Sequence, residues 1–371
     1  MSTEFLYLNE QEMIDAGVLD FGRCVDVLEE MFKLLGEGDY VMGGNSHNSH
    51  GIAIAFPDEP AFENMPKNGP DRRFMAMPAY LGGRFHVCGM KWYGSNIANP
   101  ERGLPRSILT VALNDVDTCE PLAYMSANLI SAVRTGSVPG VVVRHLANPT
   151  SEVCTCIGAG PISKACFQGI HAVAKNLKTL VVYDLVKEKS EAFCEWAAKE
   201  FGLNCIAADT LEEAVRMGDI VSSATSSLKP VDIKDEWLKK GSTIIFTGRC
   251  HIEDSYFDNC KVAFDNSLMH QEYYDFDMAK PEADRWKSGI GMQVYRLMFE
   301  GKLPPVSATP SLGDVVCGKA TVRESEDDRI CFVTSGMPVE DVAWGYDLYQ
   351  TALEKGIGTK LPLWPEKPYW T

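Results

Sequence analysis

The feature that most constrains this chain is a pair of glycines. They lie between a short apolar run and an apolar stretch of helical spacing. Residues 153–157 form the apolar run, Gly158 and Gly160 follow it, and Pro161 and Ile162 open the next stretch. Gly158 permits a tight turn after a strand, and Gly160 lacks a side chain that would block an approaching pyrophosphate. The N–H groups at the start of the following helix would bind that anion. The pattern predicts a dinucleotide site to which these four residues contribute, the alternative being an ordinary glycine turn in an α/β protein.

A carboxylate at the end of the next apolar run supports this prediction. Residues 180–183 form the run and Asp184 ends it, while Ser163 is small where the helix must pack closely against the sheet. Asp184 can accept hydrogen bonds from both hydroxyls of an adenosine ribose, and it would repel a 2′-phosphate. We therefore expect Asp184 to bind the cofactor, and we expect NAD rather than NADP.

The composition limits the class of protein. The 371 residues are 45% hydrophobic and 23% charged, which suffices for a large packed core. A net charge of −16 argues against nucleic acid or an anionic membrane as a partner. The twelve cysteines include no CxxC pair and no Cys/His spacing typical of zinc, and no apolar run reaches membrane-spanning length. We expect a cytoplasmic protein with reduced thiols and no bound metal.

Apolar runs alternate with helical stretches through the middle of the chain. This alternation predicts an α/β fold with a Rossmann-type, doubly wound parallel sheet, which we assign to an NAD-binding domain of residues 131–319. The strand candidates are 153–157, 179–184, 204–207, 220–224, 242–247 and 261–265.

The section before residue 131 has a different pattern. Residues 12–36 have helical spacing, and short runs bounded by turn residues then predict an antiparallel or mixed sheet. The strand candidate 329–334 and the amphipathic helix 339–355 should return to this section, because the parallel sheet is already complete. We therefore predict a separate α+β domain of residues 1–130 together with 320–371.

Two segments lack clear periodicity. Residues 43–70 are rich in Gly, Asn, His and Pro, which is typical of a binding loop or an arm that crosses to a partner subunit. Asn45–His50 contains two histidines, but no cysteine or carboxylate completes a metal site, so a substrate-facing loop is the preferred interpretation. Residues 270–310 are acidic and aromatic and receive no assignment.

Two cations lie inside apolar sequence ahead of the glycine turn. Lys91 interrupts the strand candidate 85–92, and Arg134 leads into an apolar helix. A buried guanidinium must be paired, either by a protein acid or by a ligand carboxylate, and a buried ammonium can bind a substrate carboxylate. Lys91 could instead extend to the edge of a sheet. Together the two residues suggest an anionic substrate next to the nicotinamide.

Six motifs in order along the chain resemble the ornithine cyclodeaminase/μ-crystallin family. They cover most of the chain, and as a set they are specific although no single one is. The motifs are Met77-Pro-Ala-Tyr-Leu-Gly-Gly83, Gly89-Met-Lys-Trp92, Ser131-Ala-Val-Arg-Thr135, Ile157-Gly-Ala-Gly160, Leu312-Gly-Asp-Val-Val-Cys-Gly-Lys319 and Val339-Glu-Asp-Val-Ala343.

The resemblance implies a bilobed homodimer with an NAD(P) lobe and a substrate and dimerisation lobe. It implies that Lys91 and Arg134 bind the α-carboxylate of an amino or imino acid. It also implies that four residues lie along the cofactor: Thr135, Ser223, Ala224 and Thr225.

Three stretches are most similar to one branch of the family, and they lie at 94–96, 99–100 and 126–131. That branch contains a dehydrogenase that oxidises N-(2-amino-2-carboxyethyl)-L-glutamate to release 2,3-diaminopropionate. The family's first carboxylate-binding arginine has no clear match near residues 45–50. Arg73, with Arg72 before it, could substitute for it as a substrate-binding residue, or both could be surface arginines.

The chain departs from the family after the fifth parallel strand. Cyclodeaminases of the family have a catalytic aspartate there, whereas this chain has Arg249, Cys250 and His251. A cation would repel a substrate ammonium, so Arg249 is interpreted as a ligand for a second substrate carboxylate. His251 is a candidate proton donor or acceptor, because the ordinary pKa of histidine lies near neutrality. A loop arginine and histidine that face solvent are the alternative.

The leading functional hypothesis is an NAD-dependent enzyme that acts on the C–N bond of an amino acid, an N-carboxyalkyl amino acid or a ketimine. Lys91 would have a catalytic part by orienting the carboxylate so that the reacting atoms meet. The alternatives are an ornithine or lysine cyclodeaminase that recycles its NAD internally, and a non-catalytic cofactor-binding protein of the μ-crystallin kind.

Overall fold

The computed structural model describes residues 3–69, 71–225, 229–287, 289–366 and 368–369. The chain divides into two compact units, and it passes between them several times. The first unit consists of residues 1–20, 38–134 and 337–371, and the second consists of 21–37 and 135–336. No helix in the described ranges is long and apolar enough to cross a bilayer.

The strands of the described residues are numbered in chain order. They are β1 (Thr3–Leu8), β2 (Tyr40–Met42), β3 (Ile52–Ala55), β4 (Arg73–Leu81), β5 (Val87–Ser95), β6 (Ser107–Asp115), β7 (Pro121–Ser126), β8 (Val153–Ile157), β9 (Thr179–Tyr183), β10 (Asn204–Ala207), β11 (Ile220–Ser223), β12 (Val231–Ile233), β13 (Thr243–Phe246), β14 (Cys250–Ile252), β15 (Cys260–Phe264), β16 (Arg329–Val333) and β17 (Thr359–Trp364).

The α-helices of the described residues are numbered in the same way. They are α1 (Glu10–Asp15), α2 (Phe21–Glu37), α3 (Asn128–Leu146), α4 (Pro161–Val173), α5 (Lys187–Phe201), α6 (Leu211–Met217), α7 (Ser267–Met278), α8 (Met292–Phe299), α9 (Leu312–Val316) and α10 (Pro338–Lys355). The helical pattern of residues 12–36 is divided between α1 and α2, because the backbone turns at Gly17, whose φ is 95°.

The sheet of the first unit is mixed and mostly antiparallel, as the sequence predicts. Its order is β17-β1-β7-β6-β5-β4-β2, with β3 paired to β4. Helix α10 packs against β2, β4, β5 and β6. Gly89 on β5 permits this close packing, because a Cβ there would lie 2.9 Å from Val342 Cγ2 of the helix. The buried face of the sheet therefore lies under α10.

The other face of this sheet carries apolar side chains that remain accessible. Phe74 and Trp92 stack on neighbouring strands with ring centroids 5.7 Å apart. Ile108 on β6 is 49% exposed, and Tyr124 on β7 and Ile54 on β3 are exposed as well. Alternation along the strands places these residues opposite the buried face, so the unit has one covered and one uncovered sheet surface.

The sheet of the second unit is parallel, which confirms the predicted α/β fold class. Its order within the described residues is β10-β9-β8-β11-β13-β16-β15. Each strand is parallel to its neighbours. The order reverses between β8 and β11, so the carboxyl ends of these two strands form the topological switch point where such sheets bind ligands.

One prediction about the tail is wrong. Strand β16 does not join the first unit but lies inside the parallel sheet, between β13 and β15. Residues 330–333 are buried, and their run of apolar side chains is typical of a parallel strand covered on both faces.

The units also differ from the predicted domains at their limits. Helix α2 belongs to the second unit, where it packs on α4 and α9. The chain passes between units at residues 134/135 and 336/337, rather than at 130/131 and 319/320. The assignment of substrate to the first unit and cofactor to the second stays a prediction.

Candidate active site

The glycine turn after β8 has the conformation that a dinucleotide site requires. Gly158 has φ 98°, and a Cβ there would lie 3.1 Å from the carbonyl oxygen of Ala224. Its N–H donates to the carbonyl of Tyr183 at 2.7 Å. Gly160 precedes α4, and a Cβ there would meet no atom within 4 Å. The first glycine is thus required by the backbone, and the second leaves open space at the N-terminus of a helix, where a pyrophosphate can bind.

Asp184 lies directly against this turn. Its Oδ2 accepts from the N–H of Ala159 at 2.8 Å, and its Oδ1 accepts from the N–H of Val186 at 3.0 Å. Each carboxylate oxygen has a further lone pair for a ribose hydroxyl. Asp184 therefore stabilises the glycine turn in addition to its predicted contact with a ribose, a structural role that the sequence did not suggest.

The other cofactor candidates lie around the same switch point or in α3 and α4. Ser223 ends β11, and Ala224 and Thr225 follow it beside Gly158. Thr225 Oγ1 is buried and has no hydrogen-bond partner among the described residues, so it suits a polar group of a ligand.

The remaining three candidates make no side-chain bond to the turn in the described residues. Pro161 is the first residue of α4, Ile162 beside it is exposed, and Thr135 is half-buried in α3. The donors and the open space of the turn fit a dinucleotide, with the two residues after Gly160 at the helix N-terminus.

A buried cluster of two cations and two acids lies in the first unit. Lys91 Nζ donates to Asp341 Oδ2 at 2.7 Å and lies 3.5 Å from Ser131 Oγ. Arg134 Nε donates to Asp341 Oδ1 at 3.1 Å, and its Nη1 donates to Glu340 Oε2. Lys91 is 2% exposed and Arg134 is 5% exposed. The structure thus brings together the two predicted carboxylate-binding residues.

Three elements hold this cluster in place. Lys91 lies on the central strand β5, paired with Met77 on one side and Val111 on the other, so it cannot reach a sheet edge. Glu340 and Asp341 lie in the first turn of α10, where the helix dipole stabilises negative charge. The sequence did not identify these acids as partners, although two adjacent acids at the start of an apolar helix are a usable signal.

The cluster is electrically balanced, and its two cations differ in basicity. Burial and the neighbouring Arg134 lower the pKa of Lys91 to about 8, against the opposing effect of Asp341. Burial also acts to lower the pKa of Arg134, but Asp341 and Glu340 outweigh it and raise that pKa. Arg134 Nη2 makes no hydrogen bond to any described residue, so one edge of the guanidinium can still donate to a ligand carboxylate.

Arg73 lies on the same sheet face as Lys91. Its guanidinium pairs with Asp71 and lies 5.8 Å from the centre of the Tyr93 ring. Lys91 Nζ lies 5.7 Å from the same ring centre. Tyr93 therefore connects Arg73 to the buried cluster, and Arg73 is half-exposed rather than a remote surface residue.

Arg249 and His251 lie in the second unit, where they line a cavity of about 170 Å³. His251 belongs to the short strand β14, and its Nδ1 lies 3.1 Å from Asp232 Oδ1. Lys287 and Arg296 also line the cavity, and no acid is among the described residues that line it. Acids beside the cavity balance two of these cations, because Lys287 pairs with Asp284 and Arg296 pairs with Asp254 and Glu300. His251 thus has Asp232 as an acid partner, and because it is 44% exposed it is also accessible to solvent.

The fold and the turn define an α/β protein whose first unit holds a mixed sheet and whose second unit is of the Rossmann type. Residues 18–356 match the ornithine cyclodeaminase/mu-crystallin family, and the chain belongs to that family, as its motifs predict. A relative is N-((2S)-2-amino-2-carboxyethyl)-L-glutamate dehydrogenase of Staphylococcus aureus, 30% identical over 369 residues, which are 98% of this chain and all of the relative.

Further relatives have related activities. Alanine dehydrogenase of Archaeoglobus fulgidus is 29% identical over 77% of this chain and 82% of its own. The solved structure of Thermococcus litoralis Delta(1)-pyrroline-2-carboxylate reductase, in complex with NADH and L-proline, has a TM-score of 0.77 at 23% identity, with 96% of this chain and 99% of that chain covered. A structure of an archaeal alanine dehydrogenase dimer with bound NAD has a TM-score of 0.77 at 24% identity, with 98% and 100% covered. The structures support the fold class.

Proposed function

We propose that this protein is an NAD-dependent oxidoreductase that acts on the C–N bond of an amino acid, an N-carboxyalkyl amino acid or the corresponding imine. The observation that carries the proposal is the buried pair of Lys91 and Arg134, whose charges are balanced while one guanidinium edge stays available. The relative that matches over its whole length is named as a dehydrogenase of an N-carboxyalkyl amino acid. The glycine turn provides a second, independent support.

The residues of the first unit orient the substrate. Arg134 Nη2 would donate to the α-carboxylate, with Lys91 and Arg73 supplying further positive charge. NAD, held by the glycine turn and Asp184, would supply the acceptor for the hydride that leaves the substrate α-carbon. The amine nitrogen loses a proton as the C=N bond forms, and addition of water to that bond yields a 2-oxo acid and a free amine. The protein's contribution is to hold the carboxylate so that the α-carbon has one fixed orientation.

NAD is the preferred cofactor because of Asp184. Its carboxylate lies at the glycine turn, where it would repel a 2′-phosphate. The remaining cofactor contacts would come from the turn, the start of α4 and the switch point. They are Gly158, Gly160, Pro161, Ile162, Thr135, Ser223, Ala224 and Thr225.

Arg249 and His251 line one cavity, which supports a substrate with more than one carboxylate. We propose that Arg249 recognises a second carboxylate and that His251, paired with Asp232, exchanges a proton with solvent or substrate. The substrate named for the S. aureus relative carries several carboxylates, whereas alanine carries one.

Cyclodeamination is the weaker alternative. The resemblance implies that it needs a carboxylate after the fifth strand, and neither Arg249 nor Cys250 supplies one. Burial raises the pKa of the Cys250 thiol to about 12, so the thiol stays protonated near neutrality and cannot act as a base.

We also propose that two copies of the chain associate through the uncovered face of the mixed sheet. Apolar side chains follow one another across its strands, as in Phe74, Trp92, Ile108 and Tyr124. One structural neighbour was solved as a dimer. The cysteines carry free thiols, which supports a place in the cytoplasm, where thiols stay reduced.

Absorbance at 340 nm tests the proposed function. Purified protein is incubated with NAD and N-(2-amino-2-carboxyethyl)-L-glutamate, L-alanine, L-proline or L-ornithine, and products are identified by mass spectrometry. We expect NADH and a 2-oxo acid, with the polycarboxylate as the best substrate. Proline and ammonia from ornithine without net NADH would instead establish cyclodeamination, and no turnover in either direction would refute an enzyme of this class.

Variants of the cluster make the test specific. R134A should lower kcat/KM by about 100-fold or more, because a buried charge pair loses one partner, while affinity for NAD stays unchanged. The matched control is R84A, since Arg84 pairs with Asp347 in the same unit at a half-exposed site. An unchanged kcat/KM in R134A would show that the cluster does not bind the substrate carboxylate.

A further inference from the structure

Asp341 is the residue that joins the two cations of the buried cluster. Its two carboxylate oxygens are divided between them, with Oδ2 accepting from Lys91 at 2.7 Å and Oδ1 accepting from Arg134 at 3.1 Å. The Asp341 side chain is fully buried, so water cannot replace it as a partner of either cation. Its removal would leave Lys91 with Ser131 at 3.5 Å as its remaining hydrogen-bond partner among the described residues.

The charges around Lys91 come from a small number of groups. Arg134 on α3 opposes the charged form of Lys91, while Asp341 and Glu340 on α10 favour it, and Asp341 has the larger effect of the two acids. The ring of Tyr93 on the same strand faces the ammonium at 5.7 Å. The paired residues on β4 and β6, Met77 and Val111, are apolar. The protonation of Lys91 therefore depends mainly on these two acids.

We propose that Asp341 is a positioning residue that keeps Lys91 charged and holds it beside Arg134, and that it thereby sets the upper pH limit of substrate carboxylate binding. This inference rests on the proposed function, because it concerns the residues that bind the substrate carboxylate. Asp341 does not bind the substrate carboxylate itself, since its side chain is fully buried and its negative charge would repel that group.

The expected consequence is a defined alkaline limb in the pH profile. Lys91 has a pKa of about 8 in the free protein, so its charge is present below that pH and is lost as the pH rises through it. Binding of a carboxylate weakens over the same range. Without Asp341 the ammonium loses its nearest opposite charge, which lowers its pKa further and moves the limb to lower pH.

The experiment compares kcat/KM from pH 6 to 10 in the wild type, D341N, E340Q and K91R. We expect the wild-type limb near pH 8, and we expect D341N to move it down by about 1 to 3 pH units, the usual effect of a neighbouring opposite charge. E340Q should move it in the same direction by less. K91R should remove the limb, because arginine stays charged. The conservative variant D341E, measured in the same way, should keep the limb near its wild-type pH.

D347N is the matched control. Asp347 lies on the same helix and pairs with Arg84 instead of Lys91, so its loss changes the charge equally without moving the limb. A D341N limb at the wild-type pH, or a D347N shift as large as that of D341N, would overturn the proposal.

Two outcomes need separate interpretation. If D341N does not melt cooperatively, the smaller shift in E340Q decides, and an unmoved E340Q limb overturns the proposal. A wild-type enzyme with no turnover refutes the proposed function and this role with it. An active wild type with unmoved limbs in the variants refutes the role of Asp341 alone.

Discussion

Gly158 and Gly160 meet two different physical requirements within one turn. Gly158 has a φ of 98°, where L-residues with a side chain are strained, and a Cβ would also press on Ala224. Gly160 has an ordinary extended backbone and open space around its missing side chain. The first glycine therefore serves the fold, and the second serves a ligand.

Alanine at each position separates these requirements. G158A should lower the free energy of unfolding by about 1–3 kcal/mol, because the backbone is strained. G160A should leave unfolding unchanged but weaken NAD binding by about 10-fold or more, because a methyl group enters the space where a pyrophosphate approaches. Urea unfolding and a fluorescence titration with NADH measure both effects. Full NADH affinity in G160A would place the pyrophosphate elsewhere.

The sequence predicts the cations of the site better than their partners. Lys91 and Arg134 were recognisable because a charge in apolar sequence must be paired. Glu340 and Asp341 were not, because they lie more than 200 residues further along the chain and only the folded structure brings them to Lys91 and Arg134. Periodicity is a local signal, so it identifies a buried charge but not the distant residue that neutralises it.

At the level of elements, helices α3 and α4 cross at a point where both carry glycines. A Cβ on Gly169 of α4 would lie 2.1 Å from the carbonyl oxygen of Gly136 on α3, and a Cβ on Gly140 would lie 2.5 Å from that of Gly169. The obstacles are backbone atoms, which cannot move aside as a flexible side chain can. The backbones therefore touch, and α4 carries the cofactor turn at its start.

This crossing yields a stability prediction. G169A should lower the free energy of unfolding by about 1–3 kcal/mol, as overpacking of a well-packed core does. The neighbouring Q168A is the control, because Gln168 is on the same helix but half-exposed. Chemical unfolding followed by circular dichroism measures both. Equal midpoints for the two variants would show that the helices can separate without cost.

Strand β16 lies where the sequence predicts a strand, but the predicted sheet is wrong. Alternation located the strands that precede it, because each is followed by a helix or a turn that marks its end. Strand β16 follows a long stretch without that alternation, so its place between β13 and β15 depends on pairing that sequence distance conceals. The order in space was not available from the order along the chain.

On the scale of the whole molecule, the uncovered sheet face predicts the oligomeric state. The double variant F74E/I108K places charges on β4 and β6, either side of β5, on that face. It should convert a dimer into monomers, because buried unpaired charges are costly. Size-exclusion chromatography with light scattering measures the mass. L268K is the control, since Leu268 is exposed on α7 in the second unit. Dissociation of L268K, or an intact F74E/I108K dimer, would exclude this face as the interface.

The long separation of Lys91 from Asp341 also has a consequence for synthesis of the protein. The two residues lie 250 positions apart, so at about 5–20 residues per second a ribosome needs about 12–50 s to supply the acid after the lysine. Strand β1 likewise waits for β17, the final strand described. During that interval the nascent first unit exposes an apolar sheet face with a lysine that has no acid partner yet. We expect it to depend on chaperones until α10 and β17 have been synthesised.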